Sequence, residues 1–361
     1  MRPARRTTAL LALALLLPLA GCVPGADDPD LDDDGWVGRS DVELALACVG
    51  LDPATTPGCA VADTNGDGHV DGSDVFALSA DYGKRVCNGS ASLCDRRYDQ
   101  VAFPTAHNAF STFERFGLYF NQWDDLPAQL SHGIRGFMLD SWYFDVNGSG
   151  TIEPTETFLC HADCSYARRP LDEGLADLRV FLDTHRGEVL TIIFESYISP
   201  ADTAAAFERS GLVQYALPHT PGALWPTLRE MIESGKRLVV LSDDGSTPAP
   251  AWHVYVWSVA WETHFTNLNR SGFRCTPNRG RTTNELFILN HFLTQSTAVP
   301  LEAAQTNANP LLIDRARQCW RESGRFPNFP TVDFATTGGV VEAARLLNAD
   351  FAAAGGEPPS P

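Results

Sequence analysis

The sequence predicts an α/β protein: a (β/α)8 barrel over residues 95–355, preceded by a small calcium-binding loop-helix module. Three observations predict it. From about Tyr98 onward, short apolar runs alternate with helical stretches, the pattern of a parallel sheet. Residues able to do chemistry close several of those runs, and barrels build their sites at strand C-termini. The net charge of −18 is also concentrated. Between Ala26 and Asp81 there are fourteen acids and one base, Arg39. A doubly wound open sheet is the alternative architecture, but no Gly-rich nucleotide loop supports it.

The chain opens with a targeting pattern. Arg2, Arg5 and Arg6 precede an apolar run from Ala9 to Ala20, too short to span a bilayer as a mature helix and typical of a secretory signal. It ends in Leu19-Ala-Gly-Cys22, which resembles a bacterial lipobox. The expectation is a lipoprotein signal peptide over 1–22, with a lipid anchor on Cys22. A simple signal peptide with a chance Cys is the alternative. The anchored reading implies an exported cell-envelope lipoprotein, and Val23 after the lipidated residue fits an outer-membrane or surface destination. Removing Cys22 from nine cysteines leaves eight, an even number that suits an oxidising compartment. Sequence proximity suggests Cys48–Cys59, Cys87–Cys94, Cys160–Cys164 and Cys275–Cys319. No spacing reads as a zinc site.

Two loops account for the acidic module at 23–86. Asp30, Asp32, Asp34 and Asp41 occupy positions 1, 3, 5 and 12 of a calcium loop, with Gly35 at 6 and Val37 at 8. Asp63, Asn65, Asp67 and Asp74 repeat the spacing, with Gly68 and Val70. Helical segments follow at Val42–Val49 and Val75–Tyr82. Over residues 30–85 the pair resembles a dockerin module, which implies a cohesin-like protein partner. A calcium-stiffened spacer between anchor and barrel is the competing reading.

In the barrel, candidate strands are Val101–Thr105, Ile134–Asp140, Val189–Glu195, Leu238–Ser242, Val254–Trp257, Leu286–Asn290 and Phe329–Phe334. Helical patterns cover Leu171–Thr184, Ala201–Ser210, Thr227–Ser234, Asn309–Ser323 and Val340–Phe351. No basic stripe is present, which argues against nucleic acid as a partner.

The chemistry gathers in a few motifs. His107 and Asn108 end the stretch Phe103-Pro-Thr-Ala-His-Asn, Asp140 closes Gly136-Phe-Met-Leu-Asp, His161 sits in Cys160-His-Ala-Asp-Cys164, and Glu195 closes Leu190-Thr-Ile-Ile-Phe-Glu. Two histidines with an acid-amide set suit phosphodiester chemistry, because imidazole titrates near neutral pH and can give or take a proton. Together these motifs resemble the X region of phosphatidylinositol-specific phospholipase C. Glu285-Leu-Phe-Ile-Leu-Asn-His-Phe-Leu-Thr294 and Pro327-Asn-Phe-Pro-Thr-Val-Asp333-Phe resemble the secreted phospholipase C-like phosphodiesterases. The likeness covers about residues 98 to 352.

That resemblance implies a distorted barrel and a phospholipid substrate at a membrane surface. The inositol 2-hydroxyl would attack phosphorus, giving diacylglycerol and a cyclic inositol phosphate. His107 would be the general base and His161 the general acid. Asn108, Asp140 and Glu195, all oxygen donors, would place the chain in the calcium-using branch. Met138 departs from that pattern, which has an acid two residues before Asp140; Asp163 or water could fill the position. Asp333 could orient His107, with a buried structural Asp as the alternative. A third calcium-like loop, Asp145, Asn147, Ser149, Glu153 and Glu156, lies between Asp140 and His161. It reads as a clamp on the His161 loop, helped by Cys160–Cys164. A glycerophosphodiesterase-like enzyme and a non-catalytic calcium-dependent docking protein remain as alternatives.

Overall fold

The structure is a computed structural model that describes residues 28–56, 58–161, 163–294 and 300–359. The expected signal peptide and lipid-bearing Cys22 lie outside the described residues. Eleven strands form one sheet: β1 Thr105–Ala106, β2 Gly136–Tyr143, β3 Thr157–Leu159, β4 Arg169–Pro170, β5 Leu190–Ser196, β6 Leu238–Ser242, β7 His253–Tyr255, β8 Ala260–Thr263, β9 Pro277–Gly280, β10 Leu286–Asn290 and β11 Phe329–Val332. The order β7-β6-β5-β2-β1-β11-β10-β8 contains eight strands, and every neighbouring pair in it is parallel.

The sheet curls as a barrel does, but β7 and β8 do not pair among the described residues. They are consecutive in the chain, joined only by the short helix Val256–Val259. The free edge of β8 is taken by β9, which is antiparallel to it. Gly280, at φ +74°, permits that hairpin: a Cβ there would lie 2.2 Å from the carbonyl oxygen of Ala260. The result is an open, distorted (β/α)8 barrel.

Alternation along the strands sorts side chains onto two faces. Phe137 and Leu139 of β2, Ile192 and Phe194 of β5, and Leu238 and Val240 of β6 pack in one core with the surrounding helices. Leu171–Thr184, for example, offers Leu171, Leu175, Leu178 and Leu182 on one stripe. Met138, Ile193, Val239, Leu241, Ile288 and Phe329 belong to a second core on the opposite, inner face. Asp140 and Glu195 continue the inner-face register past Met138 and Ile193, which carries their side chains to the mouth of the curl.

Several expected bounds shift by a few residues, among them Ile134–Asp140 to Gly136–Tyr143 and Phe329–Phe334 to Phe329–Val332. The strand expected at Val101–Thr105 reduces to Thr105–Ala106, because Val101–Pro104 runs extended without ladder pairing. Val254–Trp257 ends as a strand at Tyr255, and Val256 begins the helix that leads to β8. All four expected disulfides are present.

The N-terminal segment has its own small core of Leu31, Val37, Ala45, Ala62, Val70, Leu78 and Val86, between helices Arg39–Cys48 and Gly72–Asp81. It packs on the segment leading into β5, at the end of the sheet away from Glu195. Arg186 N donates to Asp33 O (3.2 Å), and Asn88 both accepts from Val189 N (3.0 Å) and donates to Val189 O (2.9 Å).

Candidate active site

A cleft of about 290 Å³ at the strand C-termini is lined by His107, His161, Glu195 and Asp333. It continues into a second lobe lined by Asn108, Met138, Asp140, Asp243, Glu262, Arg279 and Asn290. His107, Glu195, Phe265 and Phe292 line both lobes. The residues singled out for catalysis and for the catalytic cation therefore converge on one cleft.

His107 directly follows β1 and Asp333 directly follows the neighbouring β11. His107 Nδ1 lies 2.7 Å from Asp333 Oδ1. The imidazole stacks on Phe292 with centroids 3.8 Å apart, and Gln122 Nε2 donates to the His107 carbonyl at 2.6 Å. A hydrogen-bonded Nδ1 and a packed ring fix the orientation of His107. Asn121 extends the network: its Nδ2 donates to Asp333 Oδ1 (3.1 Å), and its Oδ1 accepts from Asn108 Nδ2 (3.2 Å). Asn108 is buried at φ +44°, a left-handed conformation that Asn tolerates better than most residues.

His161 follows β3 inside the Cys160–Cys164 loop. Its pKa is held below the ordinary histidine value, first by desolvation and then by the charge of His107; Glu195 and Asp333 oppose the shift.

Asp140 and Glu195 are register partners on adjacent strands. Burial, then Glu195, then Asp243 push the Asp140 carboxyl well above its ordinary pKa. A buried carboxylate faced by two further acids is a poor isolated anion, and the oxygen donors around it suit a hard divalent cation. Tyr197 donates to Glu195 Oε1 at 2.5 Å and stacks on Trp142. Asp163 does not supply the ligand that Met138 lacks. It lies outside both lobes, exposed, with its Oδ1 accepting from Ser165 N and Oγ at 2.8 and 2.6 Å.

The sequence reading missed Asp243, Glu262 and Asn290. Asp243 carried the same signal as Asp140 and Glu195, an acid closing an apolar run. Glu262 and Arg279 meet only through the β8–β9 pairing, which no local pattern announces. Of the tryptophans near His253, Trp257 lines the cleft, whereas Trp261 is fully buried against Phe287.

The three calcium-like loops share one hydrogen-bond scheme. The first carboxylate accepts from the fifth and sixth N–H groups: Asp30 from Asp34 and Gly35, Asp63 from Asp67 and Gly68, Asp145 from Ser149 and Gly150. Asp32, Asn65 and Ser149 cap the next turn by accepting from Asp34, Asp67 and Thr151, and Asp34 and Asp67 accept from Trp36 and His69. The closing acid folds back on the ninth residue: Asp41 on Gly38, Asp74 on Asp71, Glu156 on Glu153. Among the His, Cys, Asp and Glu side chains of the described residues, only Asp30, Asp32 and Asp41 form a group of at least three whose ligand atoms lie within 4.8 Å of one another. Burial first, and then the neighbouring carboxylates of Asp28, Asp41 and Asp33, push the Asp30 pKa up to about 8, against the hydrogen bond from Gly35.

The PI-PLC X 1 family model matches residues 93–348. A PI-PLC X domain-containing protein 1 of Arthroderma benhamiae is 29% identical over 282 residues, covering 73% of this chain and 89% of that protein. The PI-PLC X domain-containing protein At5g67130 of Arabidopsis thaliana is 28% identical, covering 70% of this chain and 62% of the relative. An uncharacterized secreted protein of Arthroderma benhamiae is also 28% identical, covering 74% of this chain and 65% of the relative. The chain thus spans less than two thirds of the length of the latter two. A solved phosphatidylinositol-specific phospholipase C of Staphylococcus aureus superposes with a TM-score of 0.47 at 13% identity, over 70% of this chain and 93% of that one. Matched by the family model over most of its length, the chain belongs to the PI-PLC X domain family.

Proposed function

We propose that the protein is an exported, calcium-dependent phosphodiesterase that cleaves phosphatidylinositol-type phospholipids to diacylglycerol and a cyclic inositol phosphate. One observation carries the reading: His107, hydrogen-bonded to Asp333, shares a cleft with His161 and with the oxygen donors Asn108, Asp140 and Glu195. Family membership supports the phospholipase C-like class. Four disulfides suit an oxidising compartment, and one relative is named as a secreted protein.

In this account His107 takes the proton from the headgroup 2-hydroxyl, with Asp333 stabilising the imidazolium that forms. The attacking oxygen is already part of the substrate, so no protein nucleophile is required. His161 gives a proton to the departing diacylglycerol oxygen. The two lobes fit the two halves of a lipid. The lobe with His161 is walled by Tyr119, Phe120, Leu293 and Phe334, and the lobe beyond His107 sets Asp140, Asp243, Glu262, Arg279 and Asn290 among apolar walls that include Met138, Ile193 and Trp257. Asn108, Asp140 and Glu195 would hold the calcium ion, which when bound supplies charge stabilisation to the phosphate and favours deprotonation of the hydroxyl. Met138 leaves that set one acid short, so a moderate affinity is expected.

The acidic module at 23–86 would bind calcium through its two loops, and the Asp145–Glu156 loop would stiffen the β2–β3 hairpin that leads to His161. Lipidation at Cys22 would keep the barrel near a bilayer, and a cohesin-like partner for residues 30–85 belongs to the same proposal. Incubation with phosphatidylinositol vesicles should release a cyclic inositol phosphate, and chelation should stop it. No turnover of any inositol lipid in the presence of calcium removes the substrate assignment.

A further inference from the structure

Asn108 can serve the proposed cation only if its amide is turned with the oxygen toward it, and its backbone does not decide that. The backbone around it is pinned: His107 N donates to Val332 O, Ala109 N to Met138 O and Ser111 N to Asn108 O, each at 2.9 Å. The amide itself could still present either its oxygen or its NH2 to the lobe that contains Asp140 and Glu195. The two ends are nearly identical in shape, but only the oxygen is a ligand for a divalent cation, and an NH2 group facing the ion repels it.

Asn121 settles the choice. Its backbone N donates to Ser111 O (2.8 Å) and its O accepts from Phe334 N (2.7 Å), which holds it between the segment after β1 and the residues just past β11. Asp333 Oδ1, already against His107 Nδ1, belongs to a carboxylate and only accepts, so Asn121 must turn its Nδ2 toward it (3.1 Å). The Asn121 oxygen then faces Asn108 and takes a hydrogen bond from Asn108 Nδ2 (3.2 Å). That bond leaves Asn108 Oδ1 for the lobe shared with Asp140 and Glu195. One carboxylate therefore orients two groups: the His107 imidazole directly, and the Asn108 oxygen through a single intervening amide. We propose that Asn121 is a positioning residue for the cation site, relaying the polarity of Asp333 to Asn108 so that base and cation ligand are set together. This role rests on the reading of Asn108, Asp140 and Glu195 as calcium ligands and deepens it.

The test follows the side-chain amide signals of Asn108 by NMR while the full chain, isotope-labelled at asparagine, is titrated with calcium. Those signals report the cleft alone, apart from the calcium-like loops, and their loss in Asn108→Ala identifies them. In the wild type they should shift on adding calcium. Asn121→Ala removes both side-chain bonds and neither backbone bond, and the calcium concentration at the midpoint of the shift should rise roughly tenfold. Asn121→Asp keeps an acceptor for Asn108 and loses only the donor to Asp333, so its midpoint should stay at or below the wild-type value. Asn121→Ser, too short to reach Asn108 and Asp333 together, replaces the alanine variant if that protein does not fold, with the same rise expected. A midpoint unmoved by Asn121→Ala, or raised as far by Asn121→Asp as by Asn121→Ala, overturns the role given to Asn121 and leaves the calcium reading standing. Asn108 signals that calcium does not move in the wild type overturn the calcium reading and the role of Asn121 with it.

Discussion

His107 and Asp333 end adjacent parallel strands, and the strand register itself brings them together. Thr105 pairs with Thr331 and Ala106 with Val332, so the next residue on each strand meets across the ladder, with Nδ1 and Oδ1 2.7 Å apart. Asp333→Asn keeps the side-chain shape and removes the charge. It should lower kcat/KM on the order of 10²-fold with little change in KM or in Tm. A full-rate variant would reduce Asp333 to a structural role.

His161 should titrate below the ordinary histidine value of about 6.5, because desolvation, and then His107, disfavour its charged form. A general acid works only while protonated, so the alkaline limb of kcat/KM should appear as pH rises through that lowered value. His107→Gln removes the second cause, and the His161 pKa should then rise. Titration by NMR on chelated protein reads this directly, and an unmoved pKa would show that the two rings do not interact.

Asp140 holds a proton more tightly than a free carboxylate, since burial, Glu195 and Asp243 all raise its pKa. The proposed calcium ion would compete with that proton, so its affinity should rise with pH and its binding should release protons to buffer. Calorimetry in buffers of different ionisation enthalpy measures the release. Asp140→Asn should weaken calcium binding by roughly 10- to 100-fold, and Met138→Asp should strengthen it. A stronger Asp140→Asn site would contradict the assignment.

The first calcium-like loop packs against the segment that leads into β5. Asp33 lies 3.4 Å from His185 Nε2 and accepts from Arg186 N, just before β5. Asp41 accepts from Leu31 N and Gly38 N, both at 2.6 Å. Asp41→Ala should destabilise the protein by about 1–3 kcal/mol by orphaning those donors. It should also remove most of the Tm increase produced by calcium. An unchanged calcium-dependent Tm shift would place the stabilising ion elsewhere.

Much of this site was legible because its signals are local. An acid or His closing an apolar run marked His107, Asp140 and Glu195, and short cysteine spacings marked three of the four disulfides. The same rule would have found Asp243 had it been applied to Leu238–Ser242. The strand Ala260–Thr263 was not legible in that way. Its Glu262 breaks the apolar pattern, and its burial is made tolerable by Arg279 and Asn278, arriving from another strand, together with Asn290. The position of Asp163 was equally hidden: it lies two residues from His161, but the turn at Ser165 directs its carboxylate away from the cleft.

Calcium-dependent cleavage by His107 and His161 is tested most simply by phosphorus NMR of the products released from phosphatidylinositol vesicles, with calcium and with chelator. A cyclic inositol phosphate should appear first, chelator should abolish it, and His107→Ala or His161→Ala should lower its rate by about 10²-fold or more. An acyclic inositol phosphate as the first product, or a rate indifferent to chelator, would contradict that mechanism.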